Sequence, residues 1–502
     1  MISSEPTVLF DLIQPPNDQH PAIALPGSDL RIRYIDLRNQ IEALAEALAA
    51  VGVSRGDRVA MALPNGLPAV MCFLASSLAG TAAPLNPAYT EDEFRFYLED
   101  TGARTLIVPP EGASAARAAA GSAIRVLTVA VDAAGTVRFD GVSGRGSISV
   151  PDGADTALVL HTSGSTGRPK RVPLSHANLS ISARNIARGY ALTGDDVSMC
   201  VMPMFHVHGL VASTLATFAT GGTLVVPAKF NPLSFWRIAR DHRVTWYSAV
   251  PTIHQLLLAR RGAGRPAGSE TLRFIRSCSA ALPPRALHQM EESFGAPVLE
   301  AYGMTEAAHQ ITSNPLPPAP HKPGSVGFGR DVRVSIIDED GEHLPAGSRG
   351  EVAIAGPNVI RGYENNSDAN EASFINGWFR TGDEGYVDPD GYLTLVGRIK
   401  DLINRGGEKF APREIDDVLL GHPSVGEAVA FGVPHATWGE EVAAAVVLRE
   451  PATEADLLAH CRVRLAEFKR PKRIHIVDSI PRTATGKIQR RRVAEEFARD
   501  AS

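Results

Sequence analysis

Apolar residues recur at helical spacing over residues 41–48, and Gly52 just beyond them is a stop signal, so the pattern predicts a helix there. Residues 57–64 read as a short apolar run closed by a turn, and 67–79 as a buried helix. The alternation recurs, with apolar runs at 105–108, 157–161, 223–226 and 245–248 separated by helical stretches. Strands alternating with helices over roughly 400 residues predict an α/β fold with largely parallel sheets. From Val332 the texture changes. Segments 332–337, 350–354 and 391–395 are short, alternating and bounded by Gly, Pro and Asp, which predicts a small β subdomain closing the main body. Beyond residue 401, helical stretches at 412–420 and 454–465 surround an apolar run at 442–448, and this tail predicts an α+β domain of its own.

At 502 residues the chain exceeds one compact core. Hydrophobic content of 44% with 21% charged residues is that of a soluble globular protein. Fifty basic against 55 acidic residues leave a net charge of -5, so no nucleic-acid footprint is expected. Cys72, Cys200, Cys278 and Cys461 are far apart and form no Cys-x-x-Cys, which predicts reduced, buried thiols rather than a disulfide frame or a zinc site. The start lacks a basic region followed by an apolar run, 68–79 is too short to span a bilayer, and Arg499-Asp500-Ala501-Ser502 is not a peroxisomal address. The expectation is a cytoplasmic enzyme with no stable membrane association.

The first chemistry is at residues 162–170. A buried strand at 157–161 runs into Thr162-Ser-Gly-Ser-Thr-Gly-Arg-Pro-Lys170. Gly164 and Gly167 let backbone amides turn toward a polyphosphate. The hydroxyls of Thr162, Ser163, Ser165 and Thr166 add donors, and Lys170 adds a point charge. The lysine does not follow a glycine directly and no Ser or Thr succeeds it, so this is not a Walker A loop. Alone, the composition suits a flexible surface turn equally well.

Further motifs follow: Glu300-Ala-Tyr-Gly-Met-Thr-Glu306, Trp378-Phe-Arg-Thr-Gly-Asp383, Gly397-Arg-Ile-Lys-Asp401 and Pro481-Arg-Thr-Ala-Thr-Gly-Lys487. In this order and spacing, over nearly the whole chain, they resemble the adenylate-forming superfamily of acyl-CoA synthetases, peptide-synthetase adenylation domains and luciferase. The resemblance implies a large N-terminal domain (1–397) of αβαβα sheets with a β subdomain, a hinge at 398–401, and a mobile α+β lid (402–502). It implies ATP, Mg²⁺ and CoA as cofactor and cosubstrates, and a small carboxylate as the acid. On its pattern, the nucleotide falls to the 162–170 loop with Ala280, Ala281, Glu300, Ala301, Tyr302, Gly303, Met304, Thr305, Asp383 and Arg398. Tyr302 offers a face to adenine, Asp383 accepts from the ribose hydroxyls, and Glu306 supplies a hard oxygen to Mg²⁺. Lys487 bridges carboxylate and α-phosphate, Lys400 is the hinge residue, and Gly406, Gly407 and Glu408 belong to the CoA channel. Arg171 departs from the family pattern, which has glycine there. If the site needs positive φ, arginine costs about 1 kcal/mol or more, and its charge could reach the phosphates.

Carboxylates are already ionised at neutral pH, so adenylation needs positioning and charge neutralisation rather than a strong base. The acid pocket is the distinctive part. Met204-Phe-His-Val-His-Gly209 places His206 and His208 two apart, Ser279 precedes the adenine segment, and His309 follows Glu306 by three. A hydrocarbon tail gains by burial among apolar groups, whereas unpaired histidines there cost, so this set suits a second carboxylate or another polar group. The pattern looks most like the oxalate–CoA ligase branch, in which Ser279, His309 and one of His206 and His208 bind the acid. Gly303 argues otherwise, since in fatty-acyl members it leaves a tunnel open. Malonate and short or medium-chain acids stay open, as does a ligase that loads a carrier protein.

Overall fold

A computed structural model describes residues 8–13, 17–162, 169–262, 264–483 and 486–497. The first sheet has seven strands in the order Val137–Phe139, Arg125–Val131, Thr105–Val108, Arg58–Met61, Thr81–Pro84, Thr156–Thr162 and Lys170–Ser175. Its strands pair in parallel except at the two edges. Leu67–Ala79, predicted as a buried helix, is one, apolar on all sides and ended by Gly80. The next helix, Glu91–Thr101, begins with a Thr90–Glu93 capping box and stops at Gly102, whose φ is 70°.

A second sheet, of nine strands, supplies most of the site. Its parallel centre includes Val197–Met199, Trp246–Ala249, Phe274–Ser277 and Val298–Met304. Val298–Met304 then turns back as the antiparallel strand His309–Ser313. Residues 333–398 form the expected β subdomain, an antiparallel sheet built on Gly350–Ala355 and Trp378–Val387. These strands share one hydrophobic core with the first sheet, from Leu9 through Leu393.

The C-terminal part is separate in its packing. Ile403, Phe410, Ile415, Leu419, Val446, Leu457 and Ile474 form a core of their own under a five-stranded sheet. The predicted helices are Pro412–Leu420 and Glu454–Arg462, the second ending earlier than the apolar pattern suggested. Between the two cores runs Ile399–Asp401, an exposed 3₁₀ turn. All four cysteines are free and buried. Among the described residues, no helix is long and apolar enough to cross a membrane.

Candidate active site

Strand ends and the turns after them gather the site. Thr162 closes the strand before the phosphate loop and Lys170 opens the strand after it, the two being paired in register. Ser163, Gly164, Ser165, Thr166 and Gly167 lie outside the described residues. Glu306 sits buried in the 3₁₀ turn Thr305–Ala307 with Thr305. Its Oε1 accepts from the Tyr363 hydroxyl at 3.0 Å and the Thr162 hydroxyl at 3.4 Å. The Lys170 ammonium stands 4.4 Å over the Tyr363 ring. Burial pulls Lys170 below the ordinary lysine value; Glu306 opposes this and Lys400 adds to it. Glu306 and Lys170 therefore meet with Lys400 close by, a carboxylate and cations where a polyphosphate and its Mg²⁺ need both.

Tyr302 is buried, and its hydroxyl donates to Asp383. Asp383 is also paired with Arg398, 2.8 Å from Oδ1 to Nε. Burial raises the Asp383 carboxyl above its ordinary value against the pull of Arg398. The three nucleotide-side residues named from the motifs thus form one linked unit. Ala280 and Ala281 are exposed, while Ala301 is buried and Gly303 and Met304 are half-buried. Glu300 is turned to Gly324, whose N–H it accepts at 2.7 Å, and burial pushes its carboxyl up to about 7.

Lys487 arrives from the other core. Its backbone N–H donates to the Thr483 hydroxyl, and the preceding Gly486 carbonyl accepts from Thr252 at 3.4 Å and from Arg482 at 2.9 Å. Burial lowers the Lys487 ammonium, and so does Arg398, while Cys278, Asp383 and Glu306 oppose the fall. The Lys487 charge therefore acts within reach of Arg398, Asp383 and Glu306 on the nucleotide side and of Cys278, next to Ser279. Gly406, Gly407 and Glu408 form instead a hairpin turn within the C-terminal sheet. Gly406 has φ 62° and packs on the Trp438 ring.

In the acid pocket, His208 opens a π-helical turn, His208–Leu215, and is fully buried. Its Nδ1 lies 3.1 Å from the Ser279 hydroxyl and its Nε2 2.6 Å from that of Ser248. His309 stacks on it with ring centroids 4.9 Å apart, and His309 Nε2 is buried without a hydrogen-bond partner among the described residues. Burial holds both rings well below the ordinary histidine value, and the buried Arg276 adds to the effect. His206 is half-buried, accepts the His208 N–H at its Nδ1, and is lowered to about 3 by burial and by Lys487. His208 is thus the member of the pair joined to Ser279 and His309, and the Lys487 charge helps to lower all three rings.

Two sequence readings need correction. Arg171 has no positive φ; it lies in a regular strand and turns toward Asp100, 3.4 Å away, whose backbone carbonyl it also bonds. Its charge anchors the strand. Gly303 is a glycine because a Cβ there would stand 1.7 Å from the His309 carbonyl oxygen. Close pairing of its own hairpin explains it, so it carries no argument for a tunnel. The residues missed from sequence were Arg276, Ser248 and Tyr363. A charge inside the apolar strand Phe274–Ser277 was the available signal for the first.

The pattern of the AMP-binding enzyme family matches residues 14–364, and that of the AMP-binding enzyme C-terminal domain matches 414–487. Over 492 residues the chain is 49% identical to an oxalate–CoA ligase of Arabidopsis thaliana, covering 95% of each chain. It is 43% identical over 519 residues to an oxalate–CoA ligase of Saccharomyces cerevisiae, covering 96% of this chain and 95% of that one. ATP-bound MatB from Rhodopseudomonas palustris superimposes with a TM-score of 0.91 at 31% identity, covering 99% of this chain and 100% of that one. The apo form of the same protein, at 32% identity and the same coverage, gives 0.80.

Proposed function

The chain belongs to the AMP-binding enzyme family, as an AMP-forming ligase that joins a carboxylic acid to CoA using ATP and Mg²⁺, and we propose that the acid is oxalate. One observation carries the choice. The residues expected to bind the acid are polar, and one of them, His309 Nε2, is buried beside the His208–Ser279 pair with no partner among the described residues. A hydrocarbon tail would leave that nitrogen unsatisfied, at a cost of about 1–3 kcal/mol. A second carboxylate on the adjacent carbon would satisfy it. The relatives described as oxalate–CoA ligases support the same reading.

The residue roles follow from position. One oxalate oxygen attacks the α-phosphorus of ATP, and pyrophosphate leaves. Lys487, within reach of Asp383, Glu306 and Cys278, neutralises charge shared by the attacking carboxylate and the α-phosphate. Lys170 and the 162–170 loop hold the departing phosphates. Glu306 would hold Mg²⁺ by its carboxylate, and the ion would supply charge neutralisation at the phosphates. His208, Ser279 and His309 hold the second carboxylate.

In the second half-reaction the CoA thiolate attacks the acyl carbon and AMP leaves. Lys487 must then withdraw. The separate C-terminal core and the exposed 399–401 turn support rotation of 402–502 against 1–397 at the 398–401 hinge, with Lys400 at its centre. The same rotation would bring Gly406, Gly407 and Glu408 to the thiol.

Pyrophosphate release with oxalate, malonate, octanoate, palmitate and 4-coumarate, each with and without CoA, tests the reading. Oxalate is expected to give the highest kcat/KM. Selective turnover of octanoate or palmitate would sink the proposal.

A further inference from the structure

Arg276 is fully buried, and among the described residues its guanidinium meets no carboxylate. Its Nε donates to the Tyr190 hydroxyl at 3.2 Å, Nη2 to Gln310 Oε1 at 2.6 Å, and Nη1 to the Ser248 hydroxyl at 3.0 Å. A buried cation without a counter-charge is costly. The expense has a use if the charge acts through the groups it touches.

Arginine is a donor only. Ser248 Oγ therefore accepts from Arg276, and its own hydrogen needs an acceptor. Among the described residues the acceptor in reach is His208 Nε2, 2.6 Å away. Were His208 protonated at Nε2, the buried Ser248 hydrogen would be left without a partner. The ring hydrogen then belongs on Nδ1, which faces Ser279 Oγ at 3.1 Å. Ser279 is half-buried, and since its Oγ accepts from His208, its own hydrogen is available to a bound acid.

We propose that Arg276, Ser248, His208 and Ser279 form a one-way hydrogen-bond relay whose donor-only start fixes the His208 tautomer and presents the Ser279 hydroxyl as a donor to the acid's second carboxylate. Arg276 and Ser248 are positioning residues in this scheme and touch no substrate. Each donation polarises the next group, so the buried charge strengthens the terminal O–H as a donor without standing in the pocket itself. The burial that keeps His208 neutral is a requirement of the scheme, because a doubly protonated ring could not accept from Ser248. The relay rests on the oxalate reading for the identity of the acid but not for its direction.

Two measurements test it separately from that reading. The first needs no substrate: ¹⁵N NMR of histidine-labelled protein, with the His208 signals assigned by their loss in His208→Gln. The expected result is a pyrrole-type Nδ1 and a pyridine-type Nε2. A protonated Nε2 in the wild-type protein would overturn the relay whatever the acid is. The second measurement is kinetic. Ser248→Ala is expected to raise the KM for oxalate by roughly tenfold, the loss of one charge-assisted hydrogen bond, and to leave the KM for ATP within about twofold. Ser248→Thr keeps the hydroxyl and is expected to restore both. An unchanged oxalate KM in Ser248→Ala would refute the relay, and so would equal rises for oxalate and ATP. Failure of the wild-type enzyme to use oxalate refutes the substrate reading alone, and the kinetic arm then runs with the acid it does use.

Discussion

Ser279, Ala308 and His309 hold φ angles of 72°, 49° and 92°, conformations that side-chain-bearing residues seldom adopt. Each costs on the order of 1–3 kcal/mol and persists where the surroundings enforce it. For Ala308 and His309 the enforcement is the tight turn after Met304, which throws the His309 ring back onto His208. Gly303 is the other half of that turn. Gly303→Ala is expected to lower stability by at least about 2 kcal/mol, since a backbone oxygen cannot yield to the new Cβ, and to abolish oxalate turnover as His309 shifts. Thermal unfolding together with pyrophosphate release checks this. An intact, fully active variant with a shortened chain-length preference would restore the tunnel reading.

Strands and helices explain what was legible in advance. The 67–79 helix and the central strands were readable because burial on all sides leaves uninterrupted apolar runs. The β subdomain was readable from its alternation and turns. The nucleotide residues came from motif resemblance, and the structure joins Tyr302, Asp383 and Arg398 directly. The relay was not readable. Arg276 sits in a four-residue strand, and its partners Tyr190, Ser248 and Gln310 are 86, 28 and 34 residues away in the chain. No local period records such contacts. Arg171 failed for the same reason, because its partner Asp100 ends a distant helix and also holds His161 at 3.0 Å. Arg171→Ala is expected to cost about 2 kcal/mol of stability by leaving Asp100 underpaired, and to change the KM for ATP less than twofold. Denaturant melts and ATP titrations check this. A large rise in the ATP KM with unchanged stability would return Arg171 to the phosphates.

At the scale of the whole molecule, Lys487 stands docked among residues of the larger core, whose Thr252 hydroxyl donates to the Gly486 carbonyl and accepts from Arg482. This is the arrangement that the proposed role of Lys487 in adenylation needs. Lys487→Ala is therefore expected to lose pyrophosphate release while still making thioester from supplied acyl-adenylate; equal loss of both would contradict rotation. Stability should also depend on pH. His176 is lowered to about 4, His206 and His254 to about 3, and His208 and His309 well below 6.5, all by burial first. Rings neutral when folded but free to protonate when unfolded take up protons on unfolding, so stability falls as pH drops below about 6.5. Glu300, pushed up to about 7, acts in the opposite sense, its burial cost fading as pH falls toward 4.5. With five rings against the raised Glu300 and Asp383 carboxyls, the melting temperature should be lower at pH 5.5 than at pH 7.5. A flat or rising profile would mean that these rings are not held neutral.

A dicarboxylate of two carbons is the acid proposed for this pocket. This assignment is tested most directly by offering the purified enzyme, ATP and Mg²⁺ an equimolar mixture of oxalate, malonate, succinate and octanoate with limiting CoA, and weighing the thioesters formed. The structure predicts oxalyl-CoA as the main early product. Dominance of octanoyl-CoA, or of either longer diacid, would contradict it.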